Sequence, residues 1–158
     1  MDQNISYFNG FLESLSLINC KANLVSSFYL ENKSMLPNLD LTKNIAQFYP
    51  ENYIFELDNI ENWEKKLKNT FVTYFFRFTE VNRSRSDFQK IFLGDSFELE
   101  ENLTRGTFRY LHEIVGDDVK VYIAKLSHTD NEHYENEYCD IFFVGNSEIY
   151  FLHLGISD

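Results

Sequence analysis

After Lys125 this chain has no Lys and no Arg, and from Leu126 to Asp158 its one-sign charge is seven carboxylates: Asp130, Glu132, Glu135, Glu137, Asp140, Glu148 and Asp158. His128, His133 and His153 supply the remaining titratable nitrogen there. Such a segment repels polyanions and steers cations. Cysteine is scarce: Cys20 and Cys139 lie too far apart for a zinc-knuckle spacing and are too few for a disulfide scaffold, so reduced thiols are expected. The six glycines are scattered at 10, 94, 106, 116, 145 and 155, which excludes a glycine-rich phosphate loop, and no Gly-x-Ser-x-Gly elbow occurs. Proline is confined to Pro37 and Pro50, and no linker or low-complexity tract interrupts the chain. No apolar run approaches the roughly 20 residues that span a bilayer. The N-terminal MDQNISYFNG has neither a basic nor an apolar leader region, so a cytoplasmic protein is expected.

What is present is an ordinary globular balance, 44% hydrophobic and 25% charged, with aromatics at 17%. A chain of 158 residues reads as one domain, residues 1–158, able to bury a sizeable core. The net charge of −11 is unevenly spread. Residues 1–79 hold nine acids and seven bases (net −2), and residues 80–158 hold sixteen acids and seven bases (net −9). That asymmetry argues against nucleic acid as a direct partner and against an anionic membrane, since both need clustered Lys and Arg. A basic protein fits it best.

Phe8, Phe11, Leu12, Leu15 and Ile18 fall on one stripe, which predicts a helix over 4–19. Asp40 can cap a short helix carrying Leu41, Ile45 and Phe48, stopped by Pro50. Residues 24–30 are ambiguous, and 53–57 suit a short strand. Asp58 and Glu61 have capping-box spacing ahead of a helix presenting Ile60, Trp63 and Leu67. In TFVTYFFRFTEV, Val72, Tyr74, Phe76 and Phe78 alternate with Thr73, Phe75, Arg77 and Thr79, which predicts a strand. A further short helix is expected after Ser84 or Ser86, closed by Gly94, and an edge strand around Phe97 and Leu99. Leu103 to Val115 has helical spacing with Gly116 as its stop, and Val119 to Ala124 alternates as a strand. The chain closes on a hairpin at Gly145-Asn146 that is apolar on both faces and therefore belongs inside a covered sheet. The expected fold is α+β: a single domain, mainly an antiparallel sheet with a C-terminal hairpin, covered by helices largely from the N-terminal half.

Candidate chemistry is sparse. His128, Glu132, His133 and Glu135 could together ligate a divalent metal, which defines an alternative reading as a small metal-dependent enzyme. The loop offers His-x4-His rather than a helix-fixed pair, so a solvated acidic loop, with no metal and no cofactor, is the better reading. His112-Glu113 begins a zinc-protease pattern, but Gly116 stands where the second histidine belongs. Cys139 beside Asp140 in a strand reads as an inert thiol, and no catalytic residue is assigned.

The stretch DNEHYENEYCD interleaves Tyr134 and Tyr138 with Asp130, Glu132, Glu135, Glu137 and Asp140. Tyrosine gives amphipathic contact area at low entropy cost, and carboxylates accept paired hydrogen bonds from Arg. These seven residues are the candidate partner-binding set. In size, in its −9 half and in this acidic-aromatic run, the chain resembles immunity proteins of bacterial polymorphic toxin systems, including contact-dependent growth inhibition. The resemblance implies a stoichiometric inhibitor of a basic cognate toxin domain, often a nuclease, acting by occlusion. An adaptor or structural domain of a larger assembly is a third reading.

Overall fold

The computed structural model describes residues 3–20, 24–51, 53–77, 96–127 and 137–157, with 96–100 described by their backbone alone. In chain order these residues form α1 (Gln3–Cys20), β1 (Val25–Ser34), α2 (Leu41–Ala46), β2 (Ile54–Asn59), α3 (Trp63–Phe75), α4 (Ser96–Val115), β3 (Lys120–Ser127), β4 (Glu137–Val144) and β5 (Glu148–Ser157). The strands make one five-stranded sheet of order β1-β5-β4-β3-β2, and every pairing is antiparallel. The fold is α+β, with its helices mostly in the N-terminal half. The apolar hairpin β4–β5 lies inside the sheet, as its two greasy faces require.

Strand alternation sends side chains to two cores. One face, with Phe28 and Leu30 of β1, Val121 of β3, Ile141 and Phe143 of β4, and Leu152 and Leu154 of β5, is roofed by α1, α3 and α4 through Phe8, Leu12, Phe71, Phe75 and Leu111. The other, with Ala124, Phe142, Ile149 and Phe151, packs on Ile45 and Tyr49. Phe142 and Phe151 stack there at 4.8 Å. Fully burying rings of this size contributes about 2–3 kcal/mol each.

Local signals behave as their chemistry dictates in several places. The Asp40 carboxylate accepts from the Lys43 N–H at 2.8 Å and starts α2. Gly116 ends α4 with φ +80, and its N–H donates to the His112 carbonyl at 2.9 Å. The tight turn of the hairpin is shifted by one residue: the Gly145 N–H donates to the Glu148 carbonyl at 3.0 Å, so Asn146 and Ser147 are its central pair.

Three expectations are corrected. Residues 72–75, expected in a strand, belong to α3. The apolar run is continuous enough to satisfy either period, and buried Leu67, Phe71, Tyr74 and Phe75 satisfy the helical one. Tertiary contacts decide it: Phe71 meets Phe108 of α4 at 5.1 Å, and Phe75 meets Phe28 of β1 at 5.6 Å. Asp58 lies in β2 rather than capping a helix, and α3 begins after Asn62, whose φ of 51 is left-handed and whose side chain makes no cap. Residues 97–99, expected as an edge strand, are in α4. The helix expected over 84–94 lies outside the described residues. Among the described residues no helix is long and apolar enough to cross a membrane.

Candidate interaction surface

β4 and β5 position what the structure describes of the acidic-aromatic stretch. Their register sets Asp140 opposite His153, both on the face that carries Phe142 and Phe151. Asp140 is fully buried, and His153 is 3% exposed. One Asp140 carboxylate oxygen accepts from the Tyr49 hydroxyl at 2.7 Å, and the other faces His153 Nδ1 at 2.7 Å. An ionised carboxylate only accepts, so Nδ1 carries the shared proton in that state. The Tyr29 ring stacks on the imidazole at 4.9 Å. Asp140, expected on the partner-binding surface, is therefore an internal strut that ties β4, β5 and the segment after α2. The cause is the pleat: a residue two positions from Phe142 shares its inward direction.

Glu137 opens β4 with its side chain 49% exposed and forms an ion pair with Arg77 at 2.9 Å, which fastens the strand to the residue two beyond α3. Tyr138 is half-buried, and its hydroxyl accepts from the Leu126 N–H at 3.3 Å. Asp130, Glu132, Tyr134 and Glu135 lie outside the described residues, as do His128 and His133 of the metal alternative. Among the described residues no group of three or more His, Cys, Asp and Glu side chains could hold a metal ion.

The other candidate groups are occupied structurally. Burial, then the neighbouring Asp140 charge, pushes the Cys139 thiol up to about 12, so it is protonated at neutral pH. His112, in the last turn of α4, contacts Glu64 through Nε2 at 2.6 Å and Asp117 through Nδ1 at 2.9 Å. Burial disfavours its charge, but the hydrogen bonds to the two carboxylates and their charges outweigh that and raise its pKa above the ordinary value. The residue pins α3 to the end of α4.

The chain matches no family model, no curated protein and no solved structure. The site is thus defined by its own residues, and the fold brings forward a second acidic strip. Between Lys43 and Lys65 there is no Lys or Arg, while Glu51, Glu56, Asp58, Glu61 and Glu64 all occur and are all exposed. Glu56 and Asp58 project from β2, at one edge of the sheet. The signal was readable as an absence of bases, the same signal that marks residues 126–158.

Proposed function

We propose that this protein is a non-catalytic, cytoplasmic, acidic binding protein of the immunity kind. It neutralises a basic cognate toxin domain, a nuclease, by stoichiometric binding and occlusion. The carrying observation is the pair of base-free acidic stretches, 44–64 and 126–158, in a chain of net charge −11. A concentrated negative field raises the encounter rate with a cationic groove, and buried aromatic anchors with paired carboxylates set the off-rate. The imidazoles and the buried thiol support the reading, because Cys139 is packed away from water and His112 and His153 each face carboxylates at hydrogen-bond distance.

The test is affinity capture from the native lysate at about 50 mM and about 500 mM salt, followed by titration of the recovered partner's activity. The expected result is one basic protein, partly released by salt, whose activity falls to zero at a one-to-one ratio. A neutral or acidic partner with salt-independent binding, or turnover by the purified protein itself, would overturn it. Stoichiometric metal in the purified protein would favour the small metal-dependent enzyme instead.

A further inference from the structure

The two edges of the sheet are treated differently. At the β1 edge the Asn9 side chain of α1 closes a ring with the backbone of Leu30: its Nδ2 donates to the Leu30 carbonyl at 2.8 Å, and its Oδ1 accepts from the Leu30 N–H at 2.7 Å. One outward pair of strand groups is thereby sealed. Among the described residues the β2 edge has no such seal. The Ile60 N–H donates to the Val121 carbonyl at 2.8 Å, which fixes the phase of the β2–β3 ladder. In an antiparallel pair the bonded residues alternate, so Asp58 and Glu56 face β3, and the N–H and C=O groups of Phe55, Leu57 and Asn59 point away from the sheet. Among the described residues those outward groups have no hydrogen-bond partner.

We infer that the β2 edge is a docking edge, which adds an extended strand of the basic partner to the sheet. This rests on the reading of a basic protein partner and gives it a place. A strand laid beside β2 has its own alternation. On one face its side chains lie next to exposed Glu56 and Asp58, and on the other next to half-buried Phe55 and Leu57. The matching sequence alternates Lys or Arg with apolar residues, because opposite charges across neighbouring strands attract and like charges repel. An open groove of about 420 Å³ adjoins the same edge, with Ile60, Leu67 and Ile123 among its apolar lining and Asp58, Lys66 and Lys125 among its charged lining. It lies on the Glu56 and Asp58 face, where it can take the aliphatic stem of an added Lys or Arg. Lys125 is already paired with Asp58. A second copy of this chain is a poorer occupant, since antiparallel pairing centred on Leu57 sets Glu56 against the twin's Asp58.

The test uses the full chain, labelled with ¹⁵N, and a blocked peptide of about seven residues alternating Val and Lys, with a Val and Glu peptide as control. The expected result is saturable shifts centred on the amides of Phe55, Leu57 and Asn59 at up to about 1 mM peptide, absent with the acidic control. Asn59→Pro removes one outward N–H without touching the β3 ladder and weakens the response at least about tenfold. The Glu56→Lys, Asp58→Lys double variant keeps the edge hydrogen bonds and transfers the response to the acidic peptide. Absent shifts, shifts centred elsewhere, or equal binding of both peptides would overturn the inference. Concentration-dependent dimerisation that alters the same three amides would overturn it in favour of self-pairing. A captured basic partner insensitive to Asn59→Pro would sink the edge and leave the inhibitor reading standing. Peptide addition at β2 with no basic partner would do the reverse.

Discussion

Replacing Asp140 by Ala tests the buried strut. The carboxylate accepts from Tyr49 and faces the proton on His153 Nδ1, each at 2.7 Å, and both its own side chain and that of His153 are almost wholly excluded from water. A hydrogen bond to a charged group contributes about 1.5–3 kcal/mol, so the two together contribute about 3–6 kcal/mol. Removing the carboxylate also leaves the Tyr49 hydroxyl and His153 Nδ1 without their buried partner, at about 1–3 kcal/mol each, which agrees. For a domain of this size each kcal/mol moves Tm by about 2–4 °C, so Asp140→Ala lowers Tm by roughly 6–24 °C. Tyr49→Phe removes one donor with little change of shape and costs about half as much. The assay is urea and thermal unfolding followed by circular dichroism on both single variants and the double variant. The double variant is expected to lose less than the sum of the singles, because both singles break the same bond. A loss below about 1 kcal/mol for Asp140→Ala, or strict additivity, would refute the reasoning and show that the cluster is strain rather than support.

Other outcomes follow from the same physics. His112 has its pKa raised above 6.5, so its pairing stabilises the fold fully below pH 6.5 and the contribution is lost as pH rises through the raised value. The stability gap between the native protein and His112→Asn is therefore larger at about pH 5.5 than at about pH 8.5, measured by urea midpoints; a pH-independent gap is inconsistent with the ion pairs. A thiol reagent at about pH 8 should label exposed Cys20 quickly and Cys139 slowly, since moving the latter from 9.0 to about 12 cuts its thiolate fraction roughly a thousandfold; equal rates would contradict the burial. Asn9→Ala unseals Leu30 and costs about 1–3 kcal/mol in unfolding assays, and an unchanged midpoint would argue that water serves equally well. The triple variant Glu132→Lys, Glu135→Lys, Glu137→Lys should keep the fold, since the solvent-accessible Glu137–Arg77 pair it breaks contributes at most about 1 kcal/mol, and should slow association with the captured partner at least about tenfold; an unchanged rate removes those residues from the mechanism.

Much of the architecture was legible because local and tertiary demands agree. The Phe8, Leu12, Leu15 stripe, the Asp40 cap, the Gly116 stop and the doubly apolar hairpin each have a single sensible placement. The strand expected over 72–79 gives way to helix at 72–75 because a continuous aromatic run carries both periods, and only the partners Phe108 and Phe28 choose between them. Asp140 was misplaced by chemistry read without geometry: a carboxylate among acids looks exposed. The pleat was available in the sequence, since Asp140 shares a face with Phe142, and the hairpin register carries it to His153. Tyr49 could not be foreseen as the third member, because it arrives from 91 residues away. The acidic β2 edge is marked in the sequence only by missing bases, a fainter signal than clustered acids.

The strand order has a consequence in time. Of the described strands β1 leaves the ribosome first and β5 last, yet they are neighbours, with Val25 opposite Ser157. At about 5–20 residues per second, β1, finished at Ser34, waits roughly 6–25 s before β5 is finished at Ser157. Through that interval the α1–β1 unit holds Phe28 and Leu30 without the strand they pack beside. The Asn9 amide can already occupy Leu30's outward groups then, which shields the middle of the nascent strand's outer edge and leaves open the side that β5 needs.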